Sequence, residues 1–135
     1  MKWVSYVLAA CLFIAGCTSS KPEIKDNGHP GQIKAVVFYD ANRNHIQDPG
    51  EPGLKDRVSI SQDFSCPATD SKKMTVVETN ANGETLFGDL KPGHYCVAYS
   101  GDSTMTTKLT NEIDLSSEQT VQVIFGRMEK DATEN

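Results

Sequence analysis

Twelve residues of this chain, from Asp40 to Glu51, carry oxygen-bearing side chains at a spacing that suits a hard divalent cation. Such side chains fall at positions 1, 3, 5, 9 and 12, and these are Asp40, Asn42, Asn44, Asp48 and Glu51. Calcium takes six to eight oxygen ligands, and a twelve-residue calcium loop adds a backbone carbonyl from position 7, here Ile46. The spacing predicts a Ca²⁺ site. The alternative is a polar turn between strands, where Asp and Asn are also common.

Two details of the loop set expectations for its geometry and affinity. Position 6, usually glycine because the turn needs a positive φ, is His45. Three of the side chains carry charge, those of Asp40, Asp48 and Glu51. We therefore expect modest affinity, with a dissociation constant of about 10⁻⁴–10⁻³ M or somewhat tighter.

The residues around the loop favour strands over helices. The run before it, residues 33–39, is β-branched and aromatic and is typical of a strand. Pro49-Gly50 lies inside the loop and Pro52-Gly53 follows it, and neither pair favours a helix after the loop. The sequence thus predicts a calcium loop placed between strands.

The N-terminus predicts secretion and a lipid anchor. A basic start precedes an apolar run of residues 4–14, which is shorter than the roughly 20 residues that span a bilayer. It fits a signal peptide over residues 1–16. The run ends in Ile14-Ala-Gly-Cys17, which resembles the lipobox of bacterial lipoproteins and implies lipidation of Cys17. An ordinary signal peptide is the alternative. Thr18, in place of an Asp, favours the outer membrane if the source is Gram-negative.

The charge balance of the chain narrows the classes of partner that we expect. The chain has 13 basic and 18 acidic residues, and losing Lys2 with the leader changes the net charge from −5 to −6. This balance argues against nucleic acid as a partner and leaves membrane attachment to the acyl chains.

Cys11 would leave with the leader and Cys17 would be lipidated. The remaining pair, Cys66 and Cys96, is predicted to form a disulfide, with two free thiols as the alternative.

The mature chain is long enough for one domain, and its patterning predicts an all-β fold. Short β-type runs separated by turn signals indicate a single antiparallel β-sandwich of about seven strands over residues 31–127, prealbumin- or immunoglobulin-like. The runs are 33–39, 57–62, 74–79, 84–88, 94–100, 107–115 and 119–126. Apolar residues alternate along 57–62, 94–100 and 119–126, which predicts strands buried on one face. Residues 17–30 are expected to be a flexible tether and residues 128–135 a polar tail.

Two motifs, in this order, resemble the SdrD B-like domains of the wider group of collagen-adhesin B-type sandwiches. The first is the calcium loop followed by Glu51-Pro-Gly-Leu54, and the second runs from Thr79 through Gly83 to Pro92-Gly93-x-Tyr95-x-Val97. The resemblance covers about residues 31–126. It implies a calcium-stiffened structural module with the ligands already named and a prealbumin-like fold.

The functional expectation is a non-catalytic, lipid-anchored module of the cell envelope with a structural or adhesive role. The chain has no Gly-x-Ser-x-Gly, His-Glu-x-x-His or Gly-rich phosphate motif. The alternative is an envelope protein that binds a protein partner, such as a host enzyme or an envelope complex, through the disulfide-tied 63–73 segment. A carbohydrate partner is not expected, because Trp3, the single tryptophan, would leave with the leader.

Overall fold

The computed structural model describes residues 21–62 and 65–128, which form a β-sandwich. The strands are β1 (Gly31–Tyr39), β2 (Arg57–Ser61), β3 (Met74–Glu78), β4 (Glu84–Leu90), β5 (Gly93–Tyr99), β6 (Thr110–Leu115) and β7 (Thr120–Arg127), with one 3₁₀ turn at Ser71–Lys73. The predicted all-β class and strand number are confirmed. The predicted strand 107–115 begins three residues later, because residues 104–107 instead lie against β7.

The strands form two sheets, ordered β4-β1-β7 and β3-β2-β5-β6. Most pairs are antiparallel as predicted, but β1 and β7 are parallel, in register from Gln32 opposite Thr120 to Tyr39 opposite Arg127. A parallel pair needs a long crossover between its strands, and here β2 to β6 supply it. The first and last strands thereby lie side by side.

The core lies between the sheets and is built from alternate residues of the strands. The apolar side chains that alternate in β2, β5 and β7 lie in this core: Val58, Ile60, Tyr95, Val97, Tyr99, Val123 and Phe125 are buried, but Cys96 and Ala98 on the other face of β5 are buried as well. On the other face of β2, Ser59 and Ser61 are also buried, although the alternation predicted a half-buried strand. Ser61 lies opposite Cys96, and the disulfide draws Cys66 over this face of the sheet.

The predicted Cys66–Cys96 disulfide is confirmed, with the two Cα atoms 5.4 Å apart. It ties the connection between β2 and β3 to the middle of β5. Asp63 and Phe64 of the predicted 63–73 segment lie outside the described residues.

The segment before β1 is bound to the turn between β6 and β7. The N–H of Ser117 donates to the Lys25 carbonyl at 2.9 Å, and the N–H of Asn27 donates to Ser117 Oγ at 3.0 Å. The N–H of Glu118 donates to the Pro30 carbonyl. Within the expected 17–30 tether, residues 25–30 are therefore held against this turn.

Several expectations fall on residues outside those described. These are the signal peptide 1–16, the lipidated Cys17 and all but the first residue of the 128–135 tail. Within residues 21–62 and 65–128, no helix has the length and apolar character needed to cross a membrane.

Candidate metal centre

The predicted calcium loop lies at the end of β1, and main-chain hydrogen bonds close its base. The N–H of Tyr39 donates to the Pro52 carbonyl at 2.9 Å, and Phe38 forms a β-bridge with Gly53. Gly53 in turn lies against the turn before β4, where an added Cβ would stand 1.8 Å from the Asn82 carbonyl oxygen. The two sequence motifs therefore meet here, and this contact fixes both ends of the loop.

Three of the predicted ligand side chains converge inside the loop. The amide nitrogens of Asn42 and Asn44 both donate to Asp48 Oδ2, at 2.8 and 2.7 Å. The side-chain oxygen of each Asn also accepts a backbone N–H from the residue two positions later, at 3.0 Å for Asn44 and 2.9 Å for Ile46. An amide oxygen has a second lone pair, so these bonds leave capacity for a cation.

Glu51, the predicted final ligand, reaches back to the start of the loop. Its Oε1 accepts the backbone N–H of Ala41 at 2.8 Å and its Oε2 accepts that of Asp48 at 3.0 Å. The Glu51 carboxylate thus brings position 12 of the loop next to position 2. A final ligand that closes the loop has to lie there.

Asp40, the predicted first ligand, is 1% exposed. Its carboxylate accepts backbone N–H groups from Asn44 and His45, both at 3.1 Å, and the Thr106 hydroxyl at 2.5 Å. Burial raises the pKa of Asp40, but these hydrogen bonds to the charged form outweigh it and hold the pKa below its usual value. The buried carboxyl is therefore an anion.

The backbone of the loop matches the expectation for position 6, because His45 has a φ of 68°. Arg43 also has a positive φ, of 58°. Ile46 is 60% exposed and its side chain is apolar. Its backbone carbonyl is therefore the group available as the position-7 ligand.

The donor set of the loop fits Ca²⁺, which prefers carboxylate and carbonyl oxygens. Across residues 21–62 and 65–128, no three His, Cys, Asp or Glu side chains are grouped closely enough to hold a metal by themselves. A cation in this loop would need the Asn42 and Asn44 amide oxygens as well as carboxylates. The loop would need to tighten for Asp40, Asp48 and Glu51 to share one cation.

Beneath the loop lies a buried ionic cluster that the sequence analysis missed. Arg127 at the end of β7 contacts the carboxylate of Asp56, and their side chains are 4% and 10% exposed. The Tyr99 hydroxyl donates to the same carboxylate at 2.8 Å. Burial raises the pKa of Tyr99 and the Asp56 charge adds to the increase, so the phenol stays protonated. No local motif marks this cluster, because its members come from three distant segments.

Thr79, the first residue of the second motif, joins the same region. It is 1% exposed, donates from Oγ1 to the Leu54 carbonyl at 2.7 Å, and accepts the N–H of Asp56 at 2.8 Å. The motif marked Thr79 in the sequence, but it did not indicate what the Thr79 side chain does. Thr79 connects the turn before β4 to the segment that follows the calcium loop.

A second feature, near the other end of the sandwich, is an open cleft of about 720 Å³ beside the disulfide. Its wall includes Lys21, Cys66, Glu112 and a cross-strand contact between His94 Nδ1 and Asp114 Oδ1. The cleft therefore carries side chains of both charges, Lys21 on one hand and Glu112 and Asp114 on the other, next to the stapled segment.

Comparison with known proteins gives a family match over most of the chain. Residues 31–130 match the model described as the SdrD B-like domain. Two curated proteins of Staphylococcus aureus are 32% identical over 75 residues: the bone sialoprotein-binding protein of strain MRSA252 and the serine-aspartate repeat-containing protein E of strain MSSA476. The aligned part is 56% of this chain and only 6% of each relative.

Two solved structures with a similar fold are pilins. A streptococcal ancillary pilin has a TM-score of 0.53 at 14% identity, over 76% of this chain and 33% of that one. BcpA, the major pilin subunit of Bacillus cereus, has a TM-score of 0.51 at 15% identity, over 73% of this chain and 30% of that one. At these identities the likeness concerns the fold.

Proposed function

We propose that this chain, which belongs to the SdrD B-like domain family, is a non-catalytic structural or adhesive module of the cell envelope, lipid-anchored at Cys17 and stabilised by calcium. The observation that carries the proposal is the convergence of Asn42, Asn44 and Asp48 inside a loop closed by Glu51. One relative is named as a bone sialoprotein-binding protein and two structural neighbours are pilins, which supports an envelope location and a role in protein contacts.

Within this proposal, Asp40, Asn42, Asn44, Asp48 and Glu51 hold the cation together with the Ile46 carbonyl. Ca²⁺ supplies positive charge that offsets the repulsion among the three carboxylates. The residues themselves position the two ends of the loop, because Glu51 is bonded to Ala41 and the base is bonded through Tyr39 and Pro52. Stiffening this loop stiffens the end of β1, the strand between the two others of its sheet.

Calcium is expected to raise the melting temperature of the wild-type protein by roughly 5–15 °C. Binding to the native state alone adds about 2.7 kcal/mol at a hundredfold excess over the dissociation constant, and the temperature range follows for a domain of this size. Glu51→Ala removes the ligand expected to be bidentate and should abolish the rise. The measurement is calorimetry of chelated protein with and without millimolar CaCl₂.

Because Glu51 also accepts two backbone N–H groups, its removal should lower stability even without calcium. The informative quantity is therefore the calcium-dependent shift, not the melting temperature itself. Glu78→Ala is the matched control: Glu78 forms an exposed pair with Lys55, and this variant should keep the full shift. Magnesium should substitute poorly, since it demands octahedral geometry at shorter distances. A wild-type melting curve that ignores calcium would contradict the site.

The anchor predicts a separate outcome. The mature protein should partition into the detergent phase, whereas Cys17→Ala should yield an unprocessed or water-soluble form. Mass spectrometry of the mature N-terminus should find an acylated Cys17. Any other mature N-terminus would refute the lipidation.

A second candidate function, binding of a protein partner through the 63–73 segment, is favoured by the disulfide and the neighbouring cleft. The staple holds Cys66 against β5, which would lower the entropy lost when the segment binds. The two functions separate experimentally: substitutions at Thr69 and Asp70 should abolish partner capture in the binding case and leave the calcium-dependent melting shift unchanged.

A further inference from the structure

A four-residue segment, Thr104–Thr107, crosses from the connection between β5 and β6 to the edge of β7. We call this segment the strap. The N–H of Thr106 donates to the Gly126 carbonyl at 2.8 Å, and the N–H of Gly126 donates to Thr107 Oγ1 at 3.1 Å. The N–H of Met128 donates to the Thr104 carbonyl at 3.0 Å. Three hydrogen bonds therefore fix the strap against β7.

From this position the strap reaches the first predicted ligand of the calcium loop. Thr106 Oγ1 donates to Asp40 Oδ2 at 2.5 Å, and the two residues are 66 positions apart in the chain. The backbone donors to this carboxylate, the N–H groups of Arg43, Asn44 and His45, belong to the loop itself. Thr106 is thus the contact that ties the orientation of Asp40 to a different part of the molecule.

The space around this contact leaves little freedom. A Cβ added to Gly126 would stand 2.4 Å from Thr106 Oγ1 and 3.1 Å from Asp40 Oδ2. Contacts below 3.0 Å require a shift of the neighbouring atoms. Asp40 and Thr106 accordingly meet over a site where only a glycine fits without displacing one of them.

We propose that Thr106 is a positioning residue for Asp40 and that, through it, cation binding at the loop orders the connection between β5 and β6, residues 100–109. The inference rests on the proposed calcium function. Fixing Oδ2 from the strap presents Oδ1 to the loop in one orientation, so less freedom is lost when a cation binds. Because linkage is reciprocal, a cation that holds Asp40 in place must stabilise the strap by the same factor.

The connection between β5 and β6, which cation binding would order, is exposed at the surface. The connection includes Leu109, whose side chain is 56% exposed, and Asp102, which is almost fully exposed. It lies at the same end of the sandwich as the calcium loop, since both adjoin the C-terminal end of β7. Calcium would therefore set the order of a surface formed by two loops.

The test uses the mature chain in detergent and compares Thr106→Val, which removes the hydroxyl with little change of shape, with Thr106→Ser, which retains it. Thr107→Val is the matched control, because Thr107 holds the strap through the Gly126 N–H, whereas Thr106 is the strap residue that donates to Asp40. Titration calorimetry with CaCl₂ should show binding about tenfold weaker for Thr106→Val, as expected for a hydrogen bond to a charged group. Thr106→Ser and Thr107→Val should remain within about twofold of wild type.

Hydrogen exchange provides the readout that a merely structural role would not change. Calcium should slow amide exchange in residues 100–109 of the wild type and of Thr106→Ser, and this slowing should be lost in Thr106→Val. Wild-type binding with an unchanged affinity in Thr106→Val would overturn this inference and leave the calcium function standing. A wild-type protein that binds no calcium would overturn both. Equal loss in Thr106→Val and Thr107→Val would reduce Thr106 to general support of the strap and overturn its positioning role.

Discussion

Asp56→Ala is expected to lower the free energy of unfolding by about 3–5 kcal/mol, the cost of breaking a buried ion pair by removing one partner. Asp56 contacts Arg127 where both side chains are almost wholly buried, and it also accepts the Tyr99 hydroxyl. The change therefore removes an anion from a buried guanidinium and an acceptor from a buried phenol. Because domains have only about 5–15 kcal/mol of stability in total, urea unfolding should show a large shift of midpoint.

The chain offers a matched control in Asp102→Ala. Asp102 pairs with Arg57 at 3.4 Å but is 97% exposed, and exposed pairs contribute little. This variant should unfold close to the wild-type midpoint. A double-mutant cycle with Asp56→Ala and Arg127→Met should show that the two changes are not additive, because the residues are in contact. Additive effects, or equal effects of the two aspartate variants, would show that the pair is not a stabilising unit.

Removal of the disulfide in the double variant Cys66→Ala/Cys96→Ala is expected to cost roughly 3–4 kcal/mol. The bond closes a loop with a sequence separation of 30 residues, and the range follows from the chain entropy that such a loop restricts in the unfolded state. The melting temperature should fall by on the order of 15 °C. Differential scanning calorimetry under non-reducing conditions measures the change.

Chemically reduced wild-type protein is the control for this experiment. It should melt near the double variant, because both lack the covalent link, and the double variant itself should not respond to reductant. Oxidised wild type and the double variant melting together would show that the bond restricts little in the unfolded chain. The calcium-dependent shift should persist in the double variant, since the disulfide and the calcium loop share no residue.

The two stabilising features serve different parts of the proposed module. The disulfide holds the β2–β3 connection on the outer face of the four-stranded sheet, beside the cleft. The Asp56–Arg127 pair joins the segment after the calcium loop to the last strand. The disulfide therefore fixes a loop, and the ion pair fixes the last strand to the segment after the calcium loop.

Features that depend on local pattern could be predicted from the sequence. Alternation of apolar residues predicted β2, β5 and β7, since side chains of a strand point to opposite faces with a period of two. The spacing from Asp40 to Glu51 predicted a loop whose polar side chains turn inward, and the usual glycine at position 6 predicted the positive φ found at His45. Parity after processing predicted the disulfide. Each of these signals is contained within one segment or one count.

Features that join distant segments could not be predicted, because they arise only when the chain folds. The parallel pairing of β1 with β7 depends on which strands become neighbours, and neither strand encodes its partner. The burial of Ser59 and Ser61 depends on what folding brings against the outer face of β2, and the alternation within the strand does not specify it. Thr106 and Arg127 look like ordinary polar residues in the sequence. They act on Asp40 and Asp56 because folding buries those carboxylates. Away from water, a single well-placed donor stabilises a carboxylate much more strongly.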